Sequence, residues 1–263
     1  RTDATKIAYC HTPARWLYEP QQLFEIAKTR TTLSRIFLGT LAPLRIADRL
    51  AAETVTHYIC QSQHVKRRIH RAYGIEAAVI PAPHSLGTTP IAKPAAELPS
   101  SYYLAVSRLL PYKNVLELAK AFEYSNRNLV VVGDGPLWES MRASSGQNVT
   151  LMRGVSDPEL RWLYKNTQAL IAVSEEDYGL TPLEAAAFGT PTIALQAGGY
   201  LDTVVAGRTG LFVQGTSADL IRAGIDTFEA ISFDRDDIRG HAETFTEEQF
   251  SHKLHKAVQA ILG

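Results

Sequence analysis

Sulfur is scarce in this chain: 263 residues hold two cysteines and two methionines. Cys10 and Cys60 form no C-x-x-C pair and no metal-ligand spacing, so neither a metal site nor a disulfide framework is indicated. Each follows a strand-like run, and both are expected to be reduced, buried thiols. No apolar run approaches the roughly 18 residues of a membrane span, and the first residues show no cleavable signal pattern. The expected location is the cytoplasm.

Net charge is also lacking, since 27 Lys and Arg stand against 27 Asp and Glu. The balance conceals an asymmetry. Residues 1–72 carry 12 basic and 5 acidic side chains, and the rest carry 15 and 22. The basic part includes Lys66, Arg67, Arg68 and Arg71, a face suited to anionic lipid at the inner face of a membrane or to a phosphate-bearing substrate. No nucleic-acid-binding module accompanies it, so nucleic acid is not an expected partner.

Apolar content is ample, at 45% of residues, and strands alternate with helices along most of the chain. Lys6–Cys10 reads as a strand, and residues 15–73 read as helical apart from a strand at His57–Cys60. Gln61-Ser62 caps a helix that ends at Tyr73-Gly74, and Ala77–Ile80 is a further strand. Pro81, Pro83, Pro90, Pro94 and Pro99 mark an extended linker. Strands at Tyr103–Val106, Leu129–Val132, Val149–Met152, Ala169–Val173, Thr192–Leu195 and Gly210–Val213 then alternate with helices at Val115–Phe122 and Pro136–Ala143. Another opens at the capping box Ser156-Asp-Pro-Glu159, and one carries Glu184. Such alternation implies parallel sheets covered by helices, an α/β class with two Rossmann-like domains. The expected division is 1–83, linker 84–100, 101–245, and an amphipathic closing helix over 246–263 that crosses back to the first domain. With no initiator methionine and no strand–helix pair before Lys6, the first domain is expected to be incomplete: a trimmed piece, a fragment or half of a split enzyme.

The chemistry gathers after the strands of the second domain. Ser174-Glu-Glu176-Asp-Tyr-Gly179-Leu180-Thr-Pro-Leu-Glu184 places two carboxylates either side of seven residues. Thr181-Pro182 reads as an N-cap followed by proline at the first helical position, which puts Glu184 in the first turn. Thr181-x-x-Glu184 also fits a capping box, a purely structural use of the same glutamate. Arg108 and Lys113, in the loop after Tyr103–Val106, are suited to a diphosphate leaving group. Gly133-Asp-Gly135-Pro sits at a turn where a ligand can approach the backbone, but position 138 is Trp, so the dinucleotide fingerprint is broken. That disfavours an NAD-dependent oxidoreductase. His11, just past a strand, is a candidate for a sugar hydroxyl.

In order and spacing these segments resemble retaining glycosyltransferases of family 4, of the two-Rossmann-domain GT-B type. The segments are Tyr9-Cys-His-Thr-Pro13, Ser107-Arg-Leu-Leu-Pro-Tyr-Lys113, Gly133-Asp-Gly-Pro136, Gly154-Val-Ser-Asp157, the Glu176/Glu184 element, Gly198-Gly-Tyr-Leu-Asp202 and Thr209-Gly-Leu-Phe-Val213. Within that family the chain is most similar to bacterial mannosyltransferases of O-antigen and exopolysaccharide assembly. The resemblance implies transfer of a hexose, with mannose favoured, from a nucleotide sugar to a glycan or lipid-linked acceptor. GDP-mannose is the donor favoured over a UDP-sugar, and no metal or other cofactor is implied. Arg108 and Lys113 would neutralise the diphosphate, with backbone amides at Gly179 and Leu180 adding donors. Glu176 would hold sugar hydroxyls, Glu184 the ribose, and His11 would reach the donor sugar; Gly133 and Gly135 would lie beside the nucleotide. Asp202 stands where the family usually has glutamate, and Pro81-Ala-Pro-His-Ser85 replaces its usual interdomain segment. The alternative is a donor-binding half or regulatory subunit that needs a complementary N-terminal chain.

Overall fold

A computed structural model describes residues 4–19, 32–84 and 86–263, with the side chains of 32–40 left aside. The chain divides into two compact units, Arg1–Ala82 with Glu247–Gly263, and Pro83–Thr246.

In the first unit, strands β1 (Ile7–Cys10), β2 (His57–Cys60) and β3 (Ala77–Val79) form a parallel sheet in the order β1-β2-β3. Helices α1 (Arg15–Tyr18), α2 (Thr32–Ala52) and α3 (Gln63–Tyr73) lie between them. The helical expectation over 20–31 lies outside the described residues. Ser62 Oγ accepts from the Val65 amide, and Gly74 ends α3 in the left-handed region at φ 72°, a conformation glycine adopts without a Cβ clash. Val65 and Ile69 pack under the sheet with Tyr58, Cys60 and Ala77. Cys10 and Cys60 are cross-strand neighbours and both are thiols, but Cys10 is only half-buried because β1 is an edge strand. The basic cluster is partly neutralised. Arg68, almost fully buried, lies 3.1 Å from Glu19, and Lys66 lies 3.2 Å from Glu76.

The second unit contains a six-stranded parallel sheet of β4 (Tyr103–Val106), β5 (Leu129–Val132), β6 (Val149–Met152), β7 (Leu170–Ala172), β8 (Thr192–Leu195) and β9 (Gly210–Val213). Its order is β6-β5-β4-β7-β8-β9. The chain winds outward one way from β4 and then the other way from β7, the doubly wound pattern of dinucleotide-binding folds. Between the strands run α4 (Val115–Ala121), α5 (Trp138–Ser144), α6 (Asp157–Asn166), α7 (Leu180–Ala187) and α8 (Tyr200–Thr203), then α9 (Ala218–Glu229) and α10 (Arg235–Ala242). Alternate residues serve opposite faces of the sheet. Tyr103, Val131 and Ile171 pack toward α4 and α9, and Leu104, Val130 and Leu170 pack toward α6 and α7. The parallel α/β class expected from the sequence is the one observed.

Apart from shifts of a single residue, three boundaries differ from expectation. The segment after Pro83 is extended, yet it is fastened to the second unit: the Arg161 guanidinium donates to the carbonyls of Leu86, Gly87 and Pro90. The helix expected from Pro136 starts at Trp138, after a turn in which the Trp138 amide donates to the Gly135 carbonyl at 3.0 Å and the Leu137 amide to that of Leu109 at 3.1 Å. α7 starts at Leu180 with Gly179 as its N-cap. Proline fits any position of a first turn, where amides need no intrahelical acceptor, so Thr181-Pro182 sits two positions deeper than its cap-like pattern implies.

The closing helix, Glu247–Leu262, groups with the first unit. Its Phe250 ring meets Tyr9 edge-on at 5.5 Å, and the Tyr9 hydroxyl donates to the Ile80 carbonyl at 2.8 Å.

Candidate functional site

The point where the winding reverses lies between β4 and β7, which are hydrogen-bonded neighbours. Open α/β folds bind ligands outside the carboxyl ends of their strands at such a point. The loop after β4 is held in place by its contact with the turn after β5. A Cβ on Gly133 would lie 1.8 Å from the Ser107 carbonyl oxygen, and one on Gly135 would lie 2.7 Å from that of Leu109. Only glycine permits this approach. The Leu109 amide donates to the Asp134 carbonyl at 2.8 Å, and the buried Leu109 side chain anchors the loop. Thus both glycines have a packing role: they set the path of the backbone carrying Arg108.

Beyond Leu110 the chain makes a 3-10 turn over Pro111–Lys113 and passes through Asn114 at φ 55°. The Asn114 side-chain amide donates to the Val173 carbonyl at 2.8 Å and to that of Tyr112 at 3.2 Å. This ties the β4 loop to the end of β7. It also brings Lys113 Nζ to 2.5 Å from Glu176 Oε1, with both side chains mostly buried. The ammonium also lies over the Tyr112 ring, 5.2 Å from its centroid. Ser174 Oγ donates to the same Glu176 oxygen at 2.7 Å, and the buried Tyr200 hydroxyl lies 3.3 Å from Ser174 Oγ. Glu176's own backbone is held by the turn after β8, where the Gly199 amide donates to its carbonyl at 2.7 Å. Arg108 is exposed, and its guanidinium reaches the Tyr112 hydroxyl at 3.5 Å.

Gly179, at φ 103°, turns the chain into α7. Leu180 is 45% exposed at the start of that helix, whose first amides have no intrahelical acceptor. Glu184 falls in the second turn, so the capping box with Thr181 does not form, and no side chain caps this helix. Its Oε2 instead accepts from the Tyr164 hydroxyl at 2.8 Å. Burial pushes the Glu184 carboxyl above its ordinary pKa, the Tyr164 bond pulls it back down, and Asp157 adds a smaller upward push.

His11 lies in the other unit, at the end of β1. Its Nδ1 is 2.8 Å from Gln61 Oε1, and Gln61 Nε2 donates to the His11 carbonyl at 3.3 Å. With the amide nitrogen committed to a carbonyl, Gln61 can only accept at its oxygen, so Nδ1 carries the hydrogen. Nε2 is then left as an acceptor in the neutral ring.

Residues 90–244, which contain the cation loop and both glutamates, match the model of the family described as glycosyl transferases group 1. The chain belongs to that family. This group 1 chain is 25% identical over 229 residues to the uncharacterized glycosyltransferase YqgM of Bacillus subtilis, covering 81% of this chain and 61% of the relative. It is 30% identical over 203 residues to the GDP-mannose-dependent alpha-(1-6)-phosphatidylinositol monomannoside mannosyltransferase of Mycobacterium tuberculosis, covering 66% of this chain and 52% of the relative. The chain thus spans roughly half to three-fifths of the length of these relatives. Among solved structures, Anabaena Alr3699/HepE in complex with UDP and glucose superposes with a TM-score of 0.70 at 16% identity, over 97% of this chain and 71% of that one. That likeness is one of fold, the GT-B glycosyltransferase fold.

Within this group 1 domain the structure brings Lys113 and Glu176 into contact and sets Gly179, Leu180 and Glu184 on the adjoining helix. The sequence marks no site role for Ser174, Asn114 or Tyr164, names Gln61 only beside a helix cap, and includes Tyr200 only within the Gly198–Asp202 segment. An asparagine directly after the lysine, a type that tolerates the left-handed region, was the one local signal among them.

Proposed function

We propose that the protein is a retaining, metal-independent glycosyltransferase of family 4. It moves a hexose, with mannose favoured, from a nucleotide sugar to a glycan or lipid-linked acceptor. The observation that carries this reading is the Lys113–Glu176 contact across the switch point of the sheet. A cation and a sugar-binding carboxylate side by side suit a ligand whose diphosphate is joined directly to a sugar. As the glycosyl bond breaks, charge grows on the diphosphate, and cations already in place stabilise it without reorganising. Lys113 and Arg108 take that role, with the Gly179 and Leu180 amides as further donors. Glu176 holds sugar hydroxyls, Glu184 accepts from the ribose, and Gly133 and Gly135 shape the nucleotide side. His11 offers Nε2 to the donor sugar. The acceptor attacks from the leaving-group face, so binding and phosphate electrostatics supply most of the rate.

GDP-mannose is the favoured donor because mycobacterial relatives carry that dependence in their names, whereas a solved neighbour was captured with UDP and glucose. In polysaccharide assembly the basic side chains of the first unit would meet anionic lipid. No helix among the described residues is long and apolar enough to cross a membrane. The test is a thermal-shift comparison of GDP-mannose and UDP-glucose, with and without EDTA. Equal stabilisation by GDP-mannose in both buffers is expected. Stabilisation lost on chelation would overturn the metal-free reading, and no stabilisation by either sugar would overturn the donor reading.

A further inference from the structure

Both glutamates are gripped from behind by a buried tyrosine, but only one is gripped directly. Tyr164, near the end of α6, is fully buried. Its ring stacks on Phe188 at 6.1 Å and 11°, and its carbonyl accepts from the buried Thr190 hydroxyl at 2.6 Å. Ring face and backbone are therefore both constrained, which leaves the hydroxyl pointing one way, at Glu184 Oε2. Among the described residues no hydrogen bond is made to Glu184 Oε1. That atom is not among the fully buried polar atoms lacking partners, so solvent reaches it in part.

We propose that Tyr164 is a positioning residue for donor binding: its hydroxyl holds one oxygen of Glu184 so that the other is presented, already oriented, to the nucleotide sugar. This rests on the reading of Glu184 as a ribose acceptor. A carboxylate on a free side chain would have to be oriented at the moment of binding, and that ordering subtracts from affinity. A phenol is well suited to the task. It donates a single hydrogen bond, adds no charge, and leaves the carboxylate's negative charge for the ligand. A lysine at this place would neutralise that charge.

The hydroxyl also sets the proton affinity of its partner. Burial raises the Glu184 carboxyl and the Tyr164 bond opposes the rise, so deleting the bond leaves burial less opposed. Asp157 on α6 pushes the same way. Of the elements packed on α7, β7 and β8 bring no charged side chain, and α8 brings Tyr200 and Asp202. On α10, Arg235 is engaged by the Lys165 and Phe188 carbonyls.

The experiment is a calorimetric titration of GDP-mannose and UDP-glucose into the full chain across pH, for wild type, Tyr164→Phe, Glu184→Gln, Glu184→Asp and the Tyr164→Phe/Glu184→Asp double variant. Tyr164→Phe is expected to raise Kd by roughly tenfold, as for loss of a hydrogen bond to a charged group. Its acid limb of binding should move to higher pH. Glu184→Asp, too short to keep the tyrosine's bond, should lose affinity similarly, and the double variant should lose no more than either alone. The Glu184→Asp arm also serves if Tyr164→Phe does not fold. A Tyr164→Phe protein with wild-type Kd and pH profile, beside an impaired Glu184→Gln, would overturn the positioning role and leave the ribose reading intact. Wild-type affinity in Glu184→Gln would overturn the ribose reading itself.

Discussion

Glu176 and Glu184 lie eight positions apart on one loop-and-helix segment, and the fold gives them opposite surroundings. Glu176 faces an ammonium at 2.5 Å and a serine hydroxyl. Glu184 has no cation within ion-pair range among the described residues and is held by a phenol alone. A carboxylate–lysine pair can part, the lysine turning to an incoming phosphate and the carboxylate accepting from a hydroxyl. A carboxylate desolvated without a cation keeps an unneutralised charge that a ligand's hydroxyl donors can satisfy. Under the proposed reading, this contrast fits an exchange of partners at Glu176 and capture of ribose hydroxyls at Glu184.

The largest expected effect comes from removing the cation. Lys113→Ala should weaken nucleoside diphosphate binding by roughly tenfold or more, the typical worth of a charged contact, while free nucleoside binds as before. Isothermal titration with GDP and guanosine checks this, and equal losses for both would dissolve the distinction between the glutamates. Next, Glu176→Gln frees Lys113 from its partner. Affinity for GDP should hold or rise while affinity for GDP-mannose falls; parallel losses would mean that Glu176 merely maintains the loop.

A smaller effect concerns pH. Because the folded state raises the Glu184 pKa, its protonated form is favoured by folding, and stability is lost as pH rises through that raised value. Glu184→Gln escapes this loss. In the unliganded protein its melting temperature should equal or exceed wild type near neutral pH, by up to roughly 3 °C, with the gap closing in acid. Calorimetric scans from about pH 4 to about pH 8 would show it, and a variant less stable at neutral pH would contradict the desolvated picture. The smallest effect is expected at Gln61→Leu, which releases the His11 ring and lets either nitrogen carry the hydrogen. A shift of His11 toward mixed tautomers in nitrogen-15 spectra, with a few-fold loss of turnover, would separate this contact from both glutamates.

Much of this arrangement was legible in the chain. Strands at Leu129–Val132, Val149–Met152, Thr192–Leu195 and Gly210–Val213 match residue for residue. Short apolar runs between turn residues have few other uses in an alternating pattern. The capping box at Ser156 and Glu159 forms as read. α9 and α10 went unread although Ser217 and Asp234 cap them and Ile221, Ile225 and Phe228 repeat at helical spacing. The start of α7 was misplaced because threonine–proline is compatible with more than one register of a first turn. What the sequence could not carry was pairing at a distance. Tyr164 and Glu184 are 20 positions apart, and Asn114 and Val173 are 59 apart. Nothing local marks a tyrosine on α6 as the partner of a carboxylate on α7.

The interlocked glycines have a consequence for anyone who would reshape this protein. Gly133 meets the Ser107 backbone, while Gly198 and Gly199 meet the backbone of Glu176 and Tyr178. A side chain at any of the three would displace main chain rather than fill space, and the charged loops would move with it. Random mutagenesis aimed at a new ligand would thus find these codons intolerant although they bear no functional group. Libraries should hold them constant and vary the exposed Leu180 side chain, where diversity leaves the scaffold undisturbed.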